Sequence, residues 1–116
     1  MVTKALRDVM LAADGAGRLT GDGVSTGCAE HPVCGDRIEL DCRIVAGTVV
    51  EVAWRAEGCP ATMAVVAAAS AAWTGQPVVA AEERIRQRLQ ALGGLEATES
   101  HALSMLLRAL REAAAS

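Results

Sequence analysis

The sequence predicts an α+β fold: a small antiparallel sheet packed on one face by helices, in the order helix, strands, helix, helix, helix. Three observations predict it. Residues 37–45 alternate with a period of two, with Ile38, Leu40, Cys42 and Ile44 on one face and Arg37, Glu39, Asp41 and Arg43 on the other. Residues 61–73 are almost wholly apolar and lie between Gly58-Cys59-Pro60 and Gly75-Gln76-Pro77, which is start and stop punctuation for a buried helix. Residues 99–114 set Leu103, Leu106, Leu107 and Leu110 at helical spacing. At 116 residues the chain has the length of one domain, and residues 1–116 are read as a single unit.

The elements follow in order. Residues 3–13 read as a short helix capped by Thr3, with Leu6, Val9, Met10 and Ala13 on its apolar face. Residues 14–27 carry Gly15, Gly17, Gly21, Gly23 and Gly27, and read as a mobile loop with at most a short strand near Val24. The alternating run 37–45 is a strand, Ala46-Gly47 a turn, and 48–56 a second strand with Val50, Val52 and Trp54 as one set of side chains. The two make an antiparallel hairpin with one covered face. A helix runs from Pro60 to Trp73, a third from Val79 to Leu92 with Glu82, Glu83, Arg84, Arg86 and Arg88 on its charged side, and a last one from Glu99 to Ala114.

Composition narrows the function. The net charge is −3 and the chain has two Trp but no Phe or Tyr, so the basic, aromatic-studded surface of a nucleic-acid binder is missing. No run of 18 apolar residues occurs, which argues against a membrane span. The start of the chain lacks the apolar core and cleavage site of a signal peptide, so the four cysteines are expected as reduced thiols in a cytoplasmic protein rather than as disulfides.

The chemistry gathers around two thiols. Cys34 lies in Pro32-Val33-Cys34-Gly35-Asp36, just before the first hairpin strand; Cys59 lies in Gly58-Cys59-Pro60, just after the second. In an antiparallel pair the start of one strand lies beside the end of the next, so the topology brings both to one end of the hairpin. Asp36 belongs to the same turn, and His101 to the first turn of the last helix. Cys34, Asp36, Cys59 and His101 are thus a candidate tetrahedral metal site of soft, borderline and hard donors. Cys28 is a possible auxiliary thiol if its loop folds inward. Cys42, in register with Ile38 and Leu40, reads as a buried core thiol, and His31 as a solvated turn residue.

The pattern Pro32-Val33-Cys34-Gly35-Asp36-Arg37-Ile38-Glu39-Leu40, then Glu57-Gly58-Cys59-Pro60-Ala61-Thr62, then Gly75, resembles the U-type iron–sulfur cluster assembly scaffolds (IscU, SufU and the N-terminal domain of NifU). Leu6-Arg7-Asp8-Val9-Met10-Leu11 is similar to that family's first helix. The resemblance implies a scaffold on which sulfur from a cysteine desulfurase and iron form a transient two-iron two-sulfur cluster for apo iron–sulfur acceptor proteins, with zinc as an occupant of the same site. Cys34 and Cys59 match the first two cysteines of the family, and Asp36 the acid that keeps the cluster labile. Two departures stand out. The third cysteine falls at Ala102, one residue after His101. The chaperone-recognition segment, Leu-Pro-Pro-Val-Lys, falls at Leu92-Gly93-Gly94-Leu95-Glu96 and does not match.

Two readings follow, neither of them a turnover enzyme. One is a scaffold-like protein that binds iron, zinc or a transient cluster through Cys34, Asp36, Cys59 and His101. The other is a degenerate paralogue that acts as a binding or regulatory module on the desulfurase or on a true scaffold. A third class, a small thiol enzyme with Cys59 as nucleophile and His101 as its base, is weaker.

Overall fold

The computed structural model describes residues 2–33 and 35–115. Helix α1 (Lys4–Ala12) is followed by strands β1 (Val24–Glu30), β2 (Arg37–Val45) and β3 (Thr48–Glu57), then helices α2 (Pro60–Trp73), α3 (Ala81–Ala91) and α4 (Ser100–Ala115), with short 3-10 turns leading into α3 and α4. The expected α+β architecture is present. Its sheet has three strands in the order β1-β2-β3, all antiparallel.

The extra strand corrects the sequence reading. Residues 24–30 form a full strand paired to β2, from Val24 opposite Arg43 to Glu30 opposite Arg37. Their sequence, Val-Ser-Thr-Gly-Cys-Ala-Glu, has no apolar stripe, because helix α4 supplies the covering surface. Gly27 makes that packing possible: a Cβ there would stand 1.8 Å from the Ala109 carbonyl oxygen, so the backbone of α4 rests directly on the strand.

Residues 14–23, expected as a mobile loop, form a strap across the polar face of the sheet. The strap first pairs along the edge of β3, where the Trp54 N–H donates to the Gly15 carbonyl and the Gly17 N–H to the Trp54 carbonyl. It then crosses the sheet under side-chain clamps. Arg55 donates to the Gly17 carbonyl, Arg43 to the Thr20 and Asp22 carbonyls, and the Leu19 N–H donates to Asp41. The glycines let the chain turn tightly, and the charged face holds it down.

Helix α2 is the centre of the core. It is buried on nearly every side, from Ala61 to Trp73, and contacts β3, α1, α3 and α4. Small side chains let these neighbours approach closely, and the near absence of polar atoms removes any solvent-facing stripe. Thr3 caps α1 as expected: its Oγ1 accepts the Leu6 N–H at 3.1 Å and donates to the Leu92 carbonyl at 2.6 Å, which ties α1 to the end of α3. Cys42 is fully buried, as read.

One face assignment changes. A bulge lies between Arg43 and Ile44 of β2: Arg43 pairs with Glu51, but Ile44 pairs with Val49, so Val50 has no partner. The extra residue reverses the alternation beyond it, and Val49 is buried while Val50 is exposed. Trp54, before the bulge in space, keeps its expected place in the core, with its indole N–H donating to the Asp14 carbonyl.

Candidate metal centre

Asp36 immediately precedes β2 and is 2% exposed, at the end of the sheet where β3 hands over to α2. Its position is fixed from two sides. The turn behind it is closed by the His31 N–H donating to the Asp36 carbonyl and the Gly35 N–H to the His31 carbonyl, both 2.8 Å. In front stands Gly58, at φ 129°, where a Cβ would lie 2.1 Å from Asp36 Oδ1. Glycine is therefore required at 58 on both conformational and steric grounds.

Cys59 is the N-cap residue of α2, and Pro60 takes the first helical position. The Cys59 backbone N–H donates to Asp36 Oδ1 at 3.2 Å, and its thiol donates to Oδ2 at 3.3 Å. Thr62, one turn into the helix, donates its hydroxyl to Oδ2 at 2.8 Å. His101, in the first turn of α4, brings Nε2 to 3.2 Å from Asp36 Oδ2 and 3.6 Å from Cys59 Sγ, while its Nδ1 faces the Thr98 carbonyl at 3.2 Å. One ligand atom each from Asp36, Cys59 and His101 lies within 4.8 Å of the others, the only such group of three among the described residues. Burial by itself would raise the pKa of Asp36, but hydrogen bonds from Thr62, Cys59 and His101 outweigh it and hold the carboxyl below its ordinary value.

This donor set fits a cation. A thiol, an imidazole and a carboxylate meet, and the thiol carries a proton that a metal would displace on binding. Two others stay behind as supports: the Thr62 hydroxyl and the Cys59 amide continue to hold the carboxylate. Beside the group, a cavity of about 460 Å³ opens between α1 and α4, walled by Val2, Arg7, Met10 and Pro60, with Cys59 and His101 on its lining.

The predicted residues fare differently. Asp36, Cys59 and His101 are brought together. Cys34 lies outside the described residues. Cys28 is not brought in, because its segment is a strand and cannot fold inward as a loop. It sits opposite Glu39 on the charged face, where burial pushes its thiol pKa up against the opposing pull of Arg37. Ala102, where the resemblance places the third cysteine, is fully buried in the core.

Two residues went unassigned in the sequence. Thr62 is the close partner of Asp36, and its spacing of three from Cys59 at a helix start was the available signal. His31 is half-buried and meets His101 edge-on, with ring centroids 5.4 Å apart at 70°. Nothing in its Glu-His-Pro context distinguished it from a solvated turn histidine.

The fold and this group of candidate ligands define an α+β domain of the U-type class. A family model described as the NifU-like N terminal domain matches residues 3–116, and the chain belongs to that family. Solved structures agree on the fold. A candidate iron–sulfur cluster assembly scaffold protein for the SUF system from Fervidobacterium islandicum AW-1 superposes with a TM-score of 0.66 at 15% identity, covering 98% of this chain and 94% of that one. The N-terminal part of a nitrogen-fixing NifU-like protein from Brucella abortus gives 0.66 at 14%, with the same coverage of 98% and 94%. A hypothetical protein gives 0.60 at 21%, covering 95% of this chain and 79% of that one. No match was found among curated proteins.

Proposed function

We propose that this protein is an iron–sulfur cluster assembly scaffold whose cargo, iron or a transient two-iron two-sulfur cluster, is held by Asp36, Cys59 and His101 together with Cys34. The observation that carries the reading is the convergence of Asp36, Cys59 and His101 from three separate elements onto one point, in a chain of the NifU-like N-terminal family. Membership of the family alone would be satisfied by a fold whose ligands had scattered. Loading replaces the Cys59 thiol proton with the cation. Two thiolates, one imidazole and one carboxylate carry less negative charge than an all-thiolate shell and suit a labile occupant; the same set accommodates zinc. On this reading sulfur comes from a cysteine desulfurase, the cavity beside Cys59 gives access for it, and the product passes to apo iron–sulfur acceptors in the cytoplasm. The protein holds and releases; it does not turn over a substrate.

The test is anaerobic reconstitution with iron and sulfide, and separately with zinc, of the wild type and of Cys59→Ala. Loss of most bound metal per chain in the variant is expected; undiminished loading overturns the site. A second reading has its own observation. Ala102 is sealed in the core where the family resemblance puts a sulfur, which favours a paralogue that binds a desulfurase or a scaffold without building clusters. Zinc binding with no cluster formed under reconstitution would select it.

A further inference from the structure

We propose that His31 is a second imidazole ligand of this centre, replacing the sulfur that Ala102 cannot supply. The inference rests on the metal-binding reading above and adds a residue to it. His31 and His101 are the chain's two histidines, 70 residues apart, and the fold sets their rings in a T-shaped contact with centroids 5.4 Å apart. The backbone of His31 is locked to the site, since its N–H donates to the carbonyl of Asp36 and its own carbonyl accepts from Gly35.

The spacing of the two rings, though not yet the direction of their nitrogens, is close to that of a ligand pair. A zinc–nitrogen bond of about 2.1 Å places an imidazole centroid about 3.2 Å from the metal, so two imidazoles at a tetrahedral angle have centroids about 5.2 Å apart. The observed separation is 5.4 Å, with planes at 70°. An edge-on aromatic pair packed only for contact also falls in this range, so the experiment must separate the two. In the present rotamer the His31 ring nitrogens lie outside the 4.8 Å group of Asp36, Cys59 and His101. Ligation therefore needs the His31 ring to turn towards the group. A shell with two imidazoles is borderline rather than soft, and it shifts preference from an all-thiolate cluster towards zinc or a histidine-rich iron site.

The test is a zinc titration of the wild type, His31→Ala and His31→Phe, with long-range proton–nitrogen NMR on the zinc-loaded wild type. Phenylalanine keeps an edge-on ring against His101 and removes the donor. Zinc affinity at least about tenfold weaker in both variants, with one His31 ring nitrogen shifting on loading, is the expected result. Wild-type affinity in His31→Phe, or His31 nitrogens unchanged by zinc, overturns the proposal and leaves the centre of Asp36, Cys59 and His101 standing. No zinc uptake by the wild type removes both. The NMR arm needs no variant, so a misfolded His31→Ala does not spare the proposal.

Discussion

Asp36 and Asp41 are two buried aspartates five residues apart on one stretch of chain, and they face opposite sides of the sheet. Asp41 meets a permanent cation. Arg55 donates to both of its oxygens, at 2.9 and 3.1 Å, and the Thr26 hydroxyl and Leu19 N–H complete the shell. Among the described residues no arginine or lysine pairs with Asp36; its oxygens are held by a hydroxyl, an amide, a thiol and an imidazole. Both shells satisfy the carboxylate, but only the second contains groups that bind metal once deprotonated. A fixed guanidinium makes an aspartate structural, whereas exchangeable protons leave it available for a cation.

The contrast is broken or sharpened by mutation and acid. The largest effect is expected for Asp41→Asn, which takes from Arg55 its two-oxygen carboxylate partner and leaves it Glu39 and the Gly17 carbonyl, and should lower the unfolding free energy by about 3 kcal/mol in urea denaturation. Acid comes next. Arg55 holds the Asp41 carboxyl at about 2, against an ordinary 3.8. A depressed carboxyl adds stability that is complete above its unfolded pKa and is lost as pH falls through the folded one. About 2 kcal/mol should therefore disappear between about pH 4 and pH 2, and Asp41→Asn should lose much of that dependence. Asp36 adds to the same trend, its carboxyl also being held low. The smallest stability effects belong to the other shell. Asp36→Asn and Thr62→Val should each cost about 1 kcal/mol in the metal-free protein, yet Asp36→Asn should abolish zinc loading and Thr62→Val should weaken it about tenfold. Equal stability losses for Asp36→Asn and Asp41→Asn would erase the distinction.

Periodicity made most of the fold legible. The alternation of residues 37–45 and the apolar run after Pro60 announce β2 and α2 because one face, or every face, of the element is buried. Strand β1 was hidden for the opposite reason. Its inner face meets a helix backbone at Gly27, so it needs no apolar side chains and reads as loop. The bulge at Val50 was equally hidden, since one unpaired residue reverses a face without changing composition. In the site, Asp36 and Cys59 were legible because glycines flank them where the chain enters and leaves a hairpin.

Local spacing and residue chemistry were enough to name the hairpin, the buried helix and the thiol-and-acid pair that the hairpin joins. Position in space had to settle the rest: which histidine reaches Asp36, which thiol turns to the far face, and which aspartate is neutralised by an arginine. Those outcomes depend on contacts between residues as much as 65 positions apart in the chain, such as Asp36 with His101. Periodicity within an element carries no record of which other element will pack against it.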